Sequence, residues 1–155
     1  MTMISKMMKT AAVFGTVAFI TTGVVQADGH LGKIKERQEA MKQVGAGMKI
    51  IVGTAKGEMA FDAAAINKAG LQIKTNLEKT SPLFPEGTGE EAGVENRAKP
   101  EIWLDTEGFA AAMKKAIAAA DVVAGVQKQA DLMPALGQLG GGCKGCHEKF
   151  RAPKK

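Results

Sequence analysis

From Leu31 onward the apolar residues recur three and four positions apart, and nowhere do they alternate as a half-buried strand would. Ile34, Met41, Val44, Met48, Ile51 and Ala55 form the first such seam. The positions around it are rich in Ala, Met, Lys, Glu and Gln, which lose little rotamer freedom in a helix. The seam predicts a helix over about Leu31 to Lys56, suited to bundle packing. One seam position is out of character. Arg37 falls between Ile34 and Met41, where a guanidinium needs either an anion or a route to solvent at the bundle's rim.

The same rhythm predicts three further helices. Asp62 is a good N-cap for a second helix to about Lys79, with Ile66, Ala69, Ile73 and Leu77 inward. Ser81-Pro82 ends it. A long connection, Ser81 to Leu104, holds Pro82, Pro85, Pro100 and the segment GTGEEAG. Leu83, Phe84, Ile102 and Trp103 are expected to pin it to the core, because loose loops of this length are uncommon in a compact domain. Asp105 should cap a third helix to about Gln129, with Phe109, Met113, Ala116, Ile117, Ala120 and Ala124 inward. Asp131 should cap a fourth, with Pro134 in its first turn. Its inward face reads Leu132, Leu136, Leu139, Cys143, Cys146, His147 and Phe150. The expected fold is all-α: an antiparallel up-down-up-down four-helix bundle with a long connection between helices 2 and 3.

The N-terminal segment has a different pattern. Lys6 and Lys9 precede the apolar run Ala11 to Ile20, and Val25-Gln26-Ala27 offers the small residues of a cleavage site. This predicts a secretory signal peptide over residues 1–27 and a mature domain over 28–155. The run is interrupted by Thr21, Thr22 and Gly23 and is short for a spanning anchor. The formal charge of +5 loses two units with Lys6 and Lys9. Apart from the pairs Lys114-Lys115 and Lys154-Lys155 the lysines are scattered, so no nucleic-acid partner is expected.

Gly140-Gly141-Gly142 leads into Cys143-Lys144-Gly145-Cys146-His147. In an exported chain a cysteine pair ordinarily suggests a disulfide, but this one would close a tiny loop and constrain the unfolded chain little. A thioredoxin-type thiol pair expects a βαβ setting that is absent. Zinc would want a fourth ligand, and the only other histidine is His30. Cys-x-x-Cys-His is the spacing of covalent haem attachment, since residues i, i+3 and i+4 share one helix face. Two cysteines bind the haem edge as thioethers, and the adjacent imidazole is the usual proximal iron ligand. One covalent haem c is therefore expected, on Cys143 and Cys146, with His147 as axial ligand. The three glycines fit a bulky flat group or a neighbouring helix close to the backbone, or else a break between two shorter helices.

Eight residues follow His147, none of them Met or His, so any sixth iron ligand is expected from upstream. Met41 is the leading candidate, because it lies on the inward first seam, four residues after Arg37. A haem propionate is one anion that Arg37 can pair with. A peroxidase would need a polar distal acid–base group, and only His30 is on offer, so an enzyme is not expected.

On these residues the chain resembles the cytochrome c′ family, the class II c-type cytochromes that include low-spin, Met-ligated relatives. The resemblance rests on Arg37-Gln38-x-x-Met41, LFPEGTG (Leu83 to Gly89), KPEIW (Lys99 to Trp103) and GGGCKGCHEKFR (Gly140 to Arg151). It implies covalent haem at Cys143 and Cys146, His147 on the iron, Arg37 and Gln38 near the propionates, and Arg151 beside the proximal histidine. It places Met41 on the distal side, where relatives either ligate iron or block a high-spin, five-coordinate site. It also implies an antiparallel homodimer through the first two helices, with Ile50, Val52, Phe61 and Leu71 as possible contacts. The expected function is periplasmic single-electron transport between redox partner proteins, with nitric oxide or carbon monoxide binding at a five-coordinate haem as the alternative.

Overall fold

The computed structural model describes residues 22–154, with side chains from Gly29 onward. Most of the predicted signal peptide, residues 1–21, lies outside the described residues. Among those described, helices dominate: α1 (Thr22–Ala55), α2 (Ala63–Thr80), the short α3 (Glu101–Leu104), α4 (Thr106–Ala124) and α5 (Gln129–Phe150). A single 3-10 turn, Glu90–Ala92, lies in the long connection. α1 packs on α2, α2 on α4, and α4 on α5, while the α1–α5 seam is the loosest of the four. The architecture is the expected four-helix bundle, with α3 as an extra turn of helix inside the connection.

The seams predicted from periodicity supply the core. Ile34, Ile51, Ile66, Ile73, Leu132 and Leu139 are essentially inaccessible. Burying each contributes about 1.5–3 kcal/mol relative to exposure. Three glycines let consecutive helices approach closely. A methyl group on Gly47 of α1 would stand 2.8 Å from Ile73 Cγ1 of α2. On Gly70 of α2 it would stand 2.5 Å from the Ala124 backbone nitrogen of α4, and on Gly142 of α5 it would meet Ala116 Cα of α4 at 3.2 Å. Gly142 thus belongs to the α4–α5 crossing, and α5 runs unbroken through Gly140-Gly141-Gly142 rather than splitting there.

Several boundaries differ from expectation. α1 begins at Thr22 instead of Leu31, since nothing between them stops a helix. Asp62 caps α2 as predicted, its carboxylate accepting from Ala64 N at 2.9 Å. α4 ends at Ala124, five residues early, where Gly125 closes the last turn and Val126 continues into the core outside the helix. α5 starts at Gln129 with Lys128 at its N-cap position, so Asp131 does not cap it and Pro134 lies inside the helix, past the first turn. The acidic Asp131 still sits in the first turn, where it favours the helix dipole. Of the possible dimer contacts, Leu71 is 52 % exposed, and Ile50, Val52 and Phe61 are half-buried. No helix among the described residues is long and apolar enough to cross a membrane.

Candidate haem site

The long connection is not loose. Leu83 and Ile102 are buried, and Trp103 donates from Nε1 to Phe84 O at 3.0 Å and to Pro85 O at 3.2 Å. Arg37 holds the rest. Its Nη1 donates to Leu83 O (3.2 Å) and Thr88 Oγ1 (3.0 Å), and its Nη2 to Thr88 O (2.6 Å) and Asn96 Oδ1 (3.2 Å). The guanidinium also lies 4.5 Å from the Phe84 ring centre. Arg37 is only 5 % exposed, so it does not reach the rim as one sequence reading allowed. Burial draws its pKa down to about 10 against the opposing pull of Glu91, and it stays charged at neutral pH. Gln38, one residue on, donates to Glu95 O at 2.9 Å.

The connection returns to the bundle at the end of α5. Ala98 and Arg151 form an isolated antiparallel bridge, flanked by Lys99 N to Phe150 O (3.1 Å) and Ala152 N to Arg97 O (2.9 Å). Residues 95–98 therefore run from α1 to α5 across the mouth of the loosest helix seam. Behind them lies a cavity of about 650 Å³. That volume falls within the ~300–1,000 Å³ typical of small-molecule and cofactor sites.

The cavity gathers most of the sequence-predicted site. Arg37, Gln38 and Met41 line it from α1, and Cys146, His147 and Arg151 from the end of α5. Cys143 lies one turn before Cys146, half-buried, and is not part of the wall. The two cysteines are free thiols. Burial raises the pKa of both, and for Cys146 the neighbouring Cys143 adds to the effect, so they remain protonated at neutral pH. His147 is pushed the other way. Burial, then the charges of Arg151 and Arg97, lower its pKa, which leaves a neutral imidazole with a free lone pair.

The rest of the wall is apolar. Phe84, Ile102, Phe109, Met113 and Phe150 complete it. Phe109 stands edge-on between Phe84 (ring centres 4.9 Å apart) and Phe150 (5.3 Å), which fixes the aromatic lining. The sequence reading had assigned these side chains to the core or the connection, and it missed Lys42, Glu95, Asn96 and Arg97 at the edge. No period marks those residues; only the fold brings them together. His30 is not in the wall and packs instead on Gly87, where an added methyl would meet its Cε1 at 2.6 Å.

These residues fit a haem. The wall offers a flat apolar group a lining of aromatic and aliphatic side chains, with a neutral imidazole and a thiol on one helix. Four cationic residues, Arg37, Lys42, Arg97 and Arg151, line the cavity against a single acidic one, Glu95, which suits a group carrying two carboxylates of its own. Among the described residues no cluster of three or more His, Cys, Asp or Glu side chains is arranged to hold a bare metal ion.

Comparison with known proteins agrees. Residues 32–151 match the family described as Cytochrome C'. The chain is 35 % identical over 122 residues to cytochrome c′ of Rhodopseudomonas palustris, covering 78 % of this chain and 82 % of that protein. It is also 35 % identical over 125 residues to cytochrome c-556 of Agrobacterium fabrum, covering 79 % of this chain and 83 % of the relative. The solved structure of cytochrome c′ from Rhodopseudomonas palustris superposes with a TM-score of 0.73 at 35 % identity, over 79 % of this chain and 98 % of that one. The chain belongs to the cytochrome c′ family, all-α haem proteins whose cofactor is covalently attached haem c.

Proposed function

We propose that this protein is a periplasmic monohaem carrier of single electrons, not an enzyme. In this reading Cys143 and Cys146 hold the haem as thioethers, and His147 ligates its iron through the lone pair that burial keeps free. The observation that carries it is the shared cavity: His147 and Cys146 of α5 and Met41 of α1 line one apolar chamber. When bound, the haem iron supplies a one-electron couple, or a binding position for a diatomic gas if its sixth site is open. Met41 either contributes its thioether to the iron or fills the space in front of it. Phe84, Phe109 and Phe150 give the chamber an aromatic lining, and Arg37 fixes the connection that borders it. The signal-peptide pattern of residues 1–27 supports export, and periplasmic proteins serve as redox partners. A homodimer through α1 and α2 fits the exposure of Leu71.

Gas binding is the second reading, favoured by the apolar side chains Phe84, Phe109 and Met113 that line the chamber together with Met41. Optical spectra of the ferric and ferrous protein, with and without nitric oxide, separate the two. A sulfur–iron charge-transfer band that disappears in Met41→Ala supports the saturated electron carrier. A high-spin ferrous spectrum unchanged by that substitution, with ready nitric oxide binding, supports the gas site instead.

A further inference from the structure

Arg97 has no counterpart among the residues assigned so far, and its surroundings give it a role. Four of the five N–H donors of Arg37 already have protein acceptors, leaving only Nε–H for a ligand. Gln38 has one amide hydrogen committed to Glu95 O. The α1 side of the mouth is therefore largely satisfied by the connection itself.

The α5 side is not. Arg97 and Arg151 both line the cavity, and neither forms an ion pair among the described residues. Arg97 donates from Nε to Ala152 O at 2.7 Å, and among the described residues its four Nη hydrogens have no protein acceptor. The Ala98–Arg151 bridge fixes the two backbones side by side. Asn96 locks the approach: its Oδ1 accepts from Ala98 N at 3.1 Å, and its Nδ2 donates to Gly89 O at 2.8 Å. Two guanidinium-bearing residues thus line one largely apolar cavity, near enough for the charge of Arg97 to act on Arg151, and neither is paired with a carboxylate among the described residues. Like charges so placed repel unless an anion joins them.

We propose that Arg97, together with Arg151, receives a carboxylate of the haem at the α5 side of the cavity mouth, with Asn96 as the positioning residue. The inference rests on the haem reading above. It gives the chain a second carboxylate subsite, distinct from Arg37, built from a residue of the connection and one from the end of α5. Guanidinium forks suit this task because they bind carboxylates through paired hydrogen bonds.

Resonance Raman spectroscopy of the holoprotein tests it through the propionate bending band, which responds to hydrogen bonding at the carboxylates. The band is expected to move in Arg97→Gln and to return towards the wild-type position in Arg97→Lys. It should stay in place in Lys99→Gln, whose side chain donates to Lys149 O and lies off the cavity wall. Should Arg97→Gln fail to fold, Arg151→Gln is expected to move the same band. A band unmoved in the folded arginine variants, or moved equally by Lys99→Gln, would overturn the proposal. Failure to recover covalent haem in the wild type would instead count against the haem reading.

Discussion

Arg37 grips Thr88 at two points, donating from Nη1 to its hydroxyl at 3.0 Å and from Nη2 to its carbonyl at 2.6 Å. The hydroxyl passes the chain of bonds on to Pro85 O at 2.7 Å. Both residues are buried, so each bond is made away from competing water. Thr88→Val keeps the shape and removes the hydroxyl, which leaves one guanidinium hydrogen of Arg37 unpaired and Pro85 O with Trp103 Nε1 as its remaining donor. The expected loss is about 1–3 kcal/mol, read from urea unfolding. Hydrogen exchange should quicken in the connection around residues 89–96 while α2 and α4 stay protected.

The close crossing of α2 and α4 predicts opposite signs for two identical substitutions. Gly70→Ala forces a methyl to within 2.5 Å of the Ala124 backbone nitrogen, and the helix backbone cannot yield as a flexible side chain would. It should destabilise the protein by about 1–3 kcal/mol through overpacking. Gly45→Ala, on the exposed side of α1 with no atom within 4 Å, should stabilise it by about 0.5–1 kcal/mol. Thermal unfolding of the two variants checks both.

Asp105 links the start of α4 to the end of α5. Its carboxylate accepts from Lys149 Nζ and, as the N-cap, from Gly108 N at 2.9 Å. The Lys149 bond first, then the Gly108 bond, hold its pKa below the ordinary carboxylate value. A group lowered in the native state stabilises it above the unfolded pKa of about 3.9 and loses that contribution as pH falls through the native value. Asp105→Asn should therefore lower the urea midpoint at pH 7, and the gap to wild type should shrink progressively below about pH 4. A gap that stays constant into strong acid would contradict this assignment.

How much of this was legible beforehand follows from what holds each part together. Cys143, Cys146 and His147 could be placed on one face because their relationship is local to a single helix. Ile66, Ile73 and Phe109 could be placed in the core because periodicity reports burial directly. Arg37 could be recognised as anomalous, but its acceptors could not be named. Thr88 and Asn96 lie fifty or more residues away in a segment without any period, and backbone carbonyls leave no trace in a sequence. Arg97 was invisible for the same reason, since only the bridge between Ala98 and Arg151 brings it to the cavity. The end of α4 was overrun because Val126 keeps the apolar rhythm after Gly125 has stopped the helix. Asp131 looked like a cap because residue type alone cannot tell an N-cap from a first-turn carboxylate.

The central claim is that Cys143 and Cys146 fix a haem covalently in the cavity that His147 and Met41 share. The most direct test is the intact mass of the protein, expressed with export and haem-attachment machinery, then denatured and stripped of loosely held ligands. The expected result is a mass raised by one haem in the wild type, with no such stable increase in the Cys143→Ala, Cys146→Ala double variant. A wild-type mass equal to that of the bare polypeptide, under conditions where a known c-type cytochrome is loaded, would contradict it.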